Sequence, residues 1–155
     1  MNGQQMSRGQ QGPGKNQEQP QSCVDLKRLL ASVKNMKELF KDPERLNELI
    51  SKIDRFTSDI NRDVATSQIR KFYERVRKLE QEVRQAETRD SAEIRRRLIL
   101  LKPLLAYAVG RNKKISYLAE VIFDAIDRTK DEEDFRSFVE FFQAIVAYHR
   151  FHGGK

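Results

Sequence analysis

Apolar residues recur every three or four positions along most of this chain, and that spacing is typical of one face of an α-helix. The pattern predicts six helices. The second of them is predicted to begin at Asp42-Pro43, where an N-cap residue precedes a first-turn proline. No segment alternates apolar and polar residues over a useful length, and no internal repeat is visible. The sequence therefore predicts an all-α fold, a compact bundle of about five to six helices.

The first predicted helix carries apolar residues at helical spacing from Leu26 as far as Phe40. A polar stretch beginning at Asn61 predicts a loop, and either Thr66 or Ser67 is expected to be the N-cap of the third helix. Two further amphipathic stretches, after residues 114 and 134, predict the fifth and sixth helices. These six stripes supply the side chains of the predicted core.

The fourth predicted helix is the most apolar. Asp90 and Glu93 have the spacing of a capping box at its start. Lys102 is the one charge in residues 98–109, so this helix is expected to be buried on most sides. Pro103 lacks a backbone N–H, which predicts a kink or a break one turn earlier, at residues 99–101.

Gly110 is the expected end of this fourth helix, because glycine commonly follows the last helical turn. Residues 1–22 contain scarcely any apolar side chain and are rich in Gln, Gly, Asn, Pro and Ser, a composition that predicts a disordered tail. Residues 23–152 are expected to form a single helical-bundle domain, since a chain of this length suits one core.

Charge is shared unequally along the chain, whose formal net charge is +7. Residues 68–116 hold fourteen Lys or Arg and six Asp or Glu, whereas residues 117–148 hold three basic and eight acidic residues. A basic surface favours an anionic partner, which leaves nucleic acid, an acidic protein and a membrane surface open. The single cysteine, Cys23, predicts a reducing, cytoplasmic location, and no apolar run is long enough to predict a membrane span.

No catalytic or metal-binding constellation is recognisable. His149 and His152 are two potential ligands without a third, and they are expected to be surface residues. Cys23 has no neighbouring base that would make it a nucleophile. The acidic residues 131–134 fall where the sixth helix begins, and are expected to complement its dipole. The sequence predicts a binding protein rather than an enzyme, with no cofactor and no metal.

Basic residues cluster in three places. Arg70, Arg77 and Arg84 recur every seven residues on the third helix, opposite its apolar stripe. Residues 95–97 are three consecutive arginines. The third cluster, residues 111–114, best meets the needs of phosphate binding, because no acidic residue lies between positions 93 and 120. For each cluster alone, a solvated surface remains the alternative.

Lys102 and Tyr107 are ambiguous because both lie in the apolar run of the fourth helix. An unpaired ammonium is costly in a core, so Lys102 either extends along the core to water or is exposed for a purpose. An aromatic side chain can stack on a base. For Tyr107, as for Tyr73 and Tyr148, packing in the core is the favoured interpretation.

Three segments in series resemble one known family: residues 66–73 (TSQIRKFY), 101–111 (LKPLLAYAVGR) and 138–149 (FVEFFQAIVAYH). In this order and spacing they are similar to the small subunit of the type III-A CRISPR–Cas effector, the Csm complex. The resemblance covers residues 66–150. Gln143 departs from it, standing where a carboxylate is expected.

The resemblance implies a non-catalytic helical subunit in antiviral defence, present in several copies beside the backbone subunits that carry the guide RNA. The implied partners are guide and target RNA, the large subunit, the backbone subunits and further copies of itself, with no membrane. Binding to the RNA backbone needs no sequence reading by the protein, because guide pairing reads the sequence.

Five cations are predicted to face RNA: Arg70, Lys102, Arg111, Lys113 and Lys114. The first three lie inside the family-like segments, and the last two extend the acid-free stretch. The alternative hypothesis is a helical protein–protein adaptor without a nucleic-acid role. A membrane-surface protein is less favoured, because the apolar stripe of the basic helix is needed by the core.

Overall fold

The computed structural model describes residues 18–86 and 90–154, and within these ranges helices are the only regular structure. The helices are α1 (Gln21–Ala31), α2 (Glu38–Lys41), α3 (Pro43–Ile60), α4 (Thr66–Gln85), α5 (Ser91–Ile99), α6 (Leu101–Arg111), a 3-10 turn (Lys113–Ile115), α7 (Ser116–Asp127) and α8 (Glu132–Phe151). The predicted all-α bundle is confirmed. None of the described helices is long and apolar enough to cross a bilayer.

Helix α8 forms the centre of the bundle. It packs against α3 and α4, while α1 packs against α3 and α7. Phe138, Phe141 and Phe142 of α8 are essentially inaccessible to solvent, which explains why this helix needs apolar residues on two faces. Burial of a phenylalanine side chain typically stabilises a fold by about 1.5–3 kcal/mol. Phe141→Ala would therefore remove one of the largest single contributions to the core.

The first predicted helix is divided in the structure, which corrects the prediction of one continuous helix to Phe40. Helix α1 ends at Ala31 and α2 starts at Glu38. In the connection, the Met36 N–H donates to the Arg128 carbonyl at the end of α7. Helical bonding is thus replaced by tertiary bonding to the α7–α8 junction, while Met36 itself remains buried.

Of two predicted N-caps, one is confirmed and the other is wrong. Asp42 caps α3 as predicted, accepting a hydrogen bond from the Glu44 N–H. The N-cap of α4 is Ala65 rather than Thr66 or Ser67, and its N–H donates to the Gln68 side chain. Thr66 is already helical and its hydroxyl is buried without a partner among the described residues.

The capping box predicted at Asp90 is half formed. The Asp90 carboxylate accepts from the Ala92 N–H, as a capping aspartate should. Glu93 instead accepts hydrogen bonds from Arg96 and Arg97. Local cation pairing has therefore replaced the second bond of the box.

The break predicted near Pro103 is present, because Leu100 separates α5 from α6. The predicted stop at Gly110 is wrong by one residue: α6 continues to Arg111, and its C-cap is Asn112. The expectation that this segment is buried on most sides is also wrong. Tyr107 is 68% exposed and Leu100 is 54% exposed.

The exposure of α6 has a simple packing cause. Leu101 and Leu105 are buried on one side, where α6 packs against α7 and the 3-10 turn. The opposite side faces a groove that separates α6 from α4. An apolar helix that meets neighbours on one side alone leaves its other apolar residues in contact with water.

The first described helix begins two residues before the predicted domain boundary at residue 23. Helix α1 begins at Gln21, and the buried Ser22 donates its hydroxyl hydrogen to Asp59 at 2.5 Å. Pro20 contributes the carbonyl that accepts from the Cys23 N–H. The greater part of the predicted tail, residues 1–17, lies outside the described residues.

Candidate nucleic-acid interface

A groove runs between α4 and α6, and we call it the basic groove. Its central part encloses about 470 Å³. The residues that line this part are Gln68, Lys71, Phe72, Arg75, Leu104, Tyr107, Ala108, Arg111 and Asn112. The lining combines three cations with an apolar and aromatic floor and contains no carboxylate. Such a surface attracts anions and also offers area for stacking or packing.

Helical spacing explains how both walls form. On α4, Gln68, Lys71 and Arg75 are separated by three and four residues, and therefore share one face. On α6, Leu104 and Arg111 share a face in the same way. The face of α4 just described lies beside the buried stripe of the same helix. Lys71 and Arg75 therefore lie at the edge of the core, and not on the side of the helix opposite the core.

The groove continues at both ends. Toward the C-terminus of α4 it meets a cavity of about 230 Å³, lined in part by Lys78, Leu79 and Leu100. Toward the N-terminus of α4 it meets a wider cavity of about 830 Å³, lined in part by Arg62 and Lys114. Cations thus follow the groove over most of the length of α4, but Glu82 and Asp63 line the outer cavities, so the acid-free surface is confined to the central part.

The cations of the central groove have no carboxylate partner in the described part of the chain: Lys71, Arg75 and Arg111 take part in none of the salt bridges found there. All three are exposed. Their charge is therefore available to an external anion without first breaking an internal ion pair.

Other basic residues are held by the protein itself. Arg77 and Arg84 both pair with Glu80, and the hydrogen bond that Arg77 donates to the Tyr73 hydroxyl raises the pKa of Arg77. The arginine run at residues 95–97 is likewise engaged. These arginines are neutralised by internal carboxylates or bonded to the protein, whereas, within residues 18–86 and 90–154, the cations of the central groove are not.

Each arginine of residues 95–97 has a hydrogen-bond partner within the protein. Arg95 donates to the Thr129 carbonyl at 2.8 Å, just beyond the C-terminus of α7. Arg96 and Arg97 both donate to Glu93, and these bonds lower the pKa of the Glu93 carboxyl. Arg97 also pairs with Glu82 of α4, at 2.8 Å. These bonds link the arginine run to the residues after α7, to α4 and to the first turn of its own helix.

The five cations predicted to face RNA do not all converge. Arg111 lines the basic groove and Lys114 lines the adjoining cavity. Lys113 is exposed in the 3-10 turn between them and α7. Arg70 lies about 140° around the α4 axis from Arg75, given about 100° per residue, and lines no part of the groove.

Lys102 is engaged elsewhere. Its ammonium lies 2.6 Å from the Asp127 carboxylate and 6.0 Å from the centre of the Phe123 ring. Its side chain is one-third exposed, so the stem covers α7 while the charge reaches water. The first alternative given for Lys102, a stem that extends along apolar surface, matches this placement.

Sequence reasoning missed Lys71, Arg75 and Tyr107 as groove residues. The two cations were indistinguishable from their basic neighbours on the third helix. A signal was nevertheless present, because Lys71 and Arg75 flank the apolar position Phe72 on one helical face. Tyr107 gave no such signal, since the run around it is apolar on all sides.

The histidines are not the surface residues that were expected. His149 is 1% exposed, and its Nε2–H donates to the Val64 carbonyl at 2.7 Å. Burial lowers the pKa of His149, so the neutral ring is favoured. Gly154 packs against this ring, where any side chain would overlap it. His152 lies 2.6 Å from Asp54.

The remaining candidate chemical groups are also structural. Burial raises the pKa of Cys23 to about 11, so its thiol stays protonated at neutral pH. Asp131 caps α8, and the fully buried Asp134 accepts from the Lys37 and Lys130 N–H groups. Within the described ranges, no three potential ligands are grouped so as to hold a metal ion.

Comparison with known protein families gives a match over most of the chain. The model of the family described as Csm2 Type III-A matches residues 43–155. This range includes α3 to α8 and both walls of the basic groove. A search of curated proteins and a search of solved structures found no match.

Proposed function

The chain belongs to the Csm2 family of type III-A CRISPR effector subunits, as the resemblance in residues 66–150 indicated, and we propose that it holds RNA by its backbone through the basic groove. In this proposal the ligand is guide or target RNA in the assembled effector complex. The protein reads no sequence, because base pairing between guide and target supplies the specificity.

The observation that carries the proposal is the acid-free lining of the groove around Lys71, Arg75 and Arg111. Phosphate binding requires cations that are not already neutralised, and these three make no internal ion pair within residues 18–86 and 90–154. Lys114 and Lys113 extend the same cationic surface toward the 3-10 turn. Together they form a track along which a polyanion can lie.

We include Arg70 and Lys102 in the proposal only with added conditions. Arg70 is exposed on another side of α4, so it would contact a different RNA segment or a neighbouring subunit. Lys102 would have to leave Asp127 before it could bind a phosphate. Neither condition applies to Lys71, Arg75 and Arg111, which share the groove and have no internal ion pair to break among the described residues.

Bridging of neighbouring subunits is proposed from family membership rather than from the acidic half of the chain. Most carboxylates there have internal partners: Glu120 pairs with Lys27, and Asp131 pairs with Lys37. Glu140 is exposed on α8. A basic neighbour would therefore find fewer free carboxylates than the net charge implies.

We also propose that the subunit is non-catalytic. His149 is buried, His152 is held by Asp54, and Cys23 is a buried thiol. Purified protein is therefore expected to cleave neither RNA nor DNA, with or without divalent metal. Metal-dependent cleavage by the purified protein would contradict this part of the proposal.

The proposed function is tested by reconstitution of the effector complex with guide RNA, with and without this subunit. The subunit is expected to co-purify with the guide-loaded complex and to increase its affinity for target RNA. That increase should fall steeply as salt rises, because phosphate contacts release bound counterions. A subunit that assembles but contributes no salt-dependent affinity would be an adaptor instead.

A further inference from the structure

Tyr107 is an exposed aromatic residue in a segment whose sequence predicts a core. It is 68% exposed, although residues on the other side of the same helix are buried. No aromatic ring or cation among the described residues stacks on it. Most of the phenol ring is therefore open to an external partner.

The surroundings of Tyr107 are cationic. Arg111 is one helical turn further along α6 on the same face. Lys71 and Arg75 stand on the opposite wall of the same groove. Phe72 contributes apolar surface to the floor between these walls. An aromatic platform flanked by free cations on two sides matches what proteins use to hold single-stranded nucleic acid.

The size of the groove agrees with this ligand. Its central volume of about 470 Å³ lies within the usual range for small-ligand sites and suits one nucleotide rather than a whole duplex. A base that is paired and stacked in a helix presents no free face to a side chain. Only an unpaired nucleotide can place its base against Tyr107.

We infer that the basic groove binds single-stranded RNA, with one unpaired base stacked on Tyr107 and its flanking phosphates held by Arg75 and Arg111. The inference rests on the proposed function, and adds to it a base contact and a choice of single-stranded over double-stranded RNA. Stacking is tolerant of sequence because every base has a π-face. The alternative occupant of the groove is an acidic peptide, and the titration compares the two ligands.

The test uses a tryptophan reporter, because the natural chain contains no tryptophan. Full-length Tyr107→Trp protein is titrated in low salt with a uridine oligonucleotide, with an abasic ribose-phosphate oligomer of the same length, and with an acidic peptide. Base stacking is expected to quench the fluorescence with the uridine oligonucleotide alone. Affinity for the abasic oligomer should be at least about fivefold weaker, the loss expected for one stacked base.

Variants separate stacking from other contacts. Tyr107→Phe should retain affinity for the uridine oligonucleotide, whereas Tyr107→Leu should lose at least about fivefold while keeping the same salt dependence. Phe151→Leu is the matched control, since Phe151 is 76% exposed but does not line the groove, and it should bind normally. Unchanged melting temperatures establish that the variants are folded.

The outcomes distinguish this inference from the proposed function. Equal, salt-dependent binding of the uridine and abasic oligomers overturns the stacking inference and leaves phosphate binding intact. Absence of binding to either oligomer, by the chain and by the assembled complex, overturns both. Quenching by the acidic peptide without quenching by RNA assigns the groove to a protein partner and overturns the inference.

Discussion

The Lys102 ammonium lies 2.6 Å from the Asp127 carboxylate, and this ion pair joins the first turn of α6 to the last residue of α7. A carboxylate at a helix C-terminus is unfavourable to the helix dipole, and the lysine compensates for it. The pair therefore explains a charge in an apolar run without any ligand.

We predict that Lys102→Gln and Asp127→Asn both break this pair and that Lys102→Gln destabilises the fold more, because it leaves the Asp127 carboxylate uncompensated at the C-terminus of α7. A partly exposed pair typically contributes about 0.2–1 kcal/mol, so each melting temperature should fall by no more than about 4 °C. Affinity for target RNA in the complex should stay unchanged in both. If Lys102→Gln alone weakens RNA binding, Lys102 contacts RNA as the sequence hypothesis held.

We predict that Arg75→Ala with Arg111→Ala weakens binding of the complex to target RNA similarly for all sequences. The slope of log affinity against log salt concentration should become flatter by about 0.7 for each phosphate that the variant no longer binds, the value for single strands. Both residues are exposed, so thermal stability should hardly change.

The control for this prediction is Arg77→Ala with Arg84→Ala, which removes the same charge from cations that pair with Glu80. It should leave the salt dependence almost unchanged. Equal losses in the two double variants would mean that net charge, and not the basic groove, determines affinity.

We predict that acid destabilises the fold through His149, because burial holds its pKa below the ordinary value of 6.5. Between 6.5 and the lower pKa of the folded state, the unfolded chain binds more protons than the folded chain, so the free energy of unfolding decreases as the pH falls. Below the pKa of the folded state the ring is protonated in both states, and His149 no longer makes the free energy of unfolding depend on pH. Above that window the ring is neutral in both states.

Urea unfolding at pH 7.5 and pH 5 measures this effect. His149→Gln keeps a side-chain N–H that can donate to the Val64 carbonyl but does not titrate, so its loss of stability in acid should be smaller. An identical loss in the variant and the natural protein would assign the acid sensitivity to other groups.

We predict that two N-terminal truncations behave differently. Removal of residues 1–17 should leave the melting temperature unchanged, because that composition offers no apolar anchor. Removal of residues 1–22 takes away the Pro20 carbonyl that starts α1 and the bond between Ser22 and Asp59. It should lower the melting temperature by about 4 °C or more, the shift expected for about 1 kcal/mol. Thermal denaturation of the two truncated proteins measures the difference. If their melting temperatures are equal, the stable domain begins after Ser22.

The sequence alone determined most of the helices, several of their ends and the family. Helix periodicity, the Asp42 cap and the break before Pro103 are local features, set by backbone bonding within a few residues. The three family-like segments also depend only on residue order. The charge asymmetry was equally visible, since it is a matter of counting.

Only the tertiary structure decided which surfaces are covered and which charges are free. Tyr107 and Leu105 lie in one apolar run, yet the packing of α6 against α7 buries Leu105 and leaves Tyr107 in the groove. Likewise, the partners of Arg95 and Lys102 are 34 and 25 residues away along the chain. Solvent exposure and ion pairing depend on distances between helices, and those distances are fixed by long-range packing rather than by local spacing.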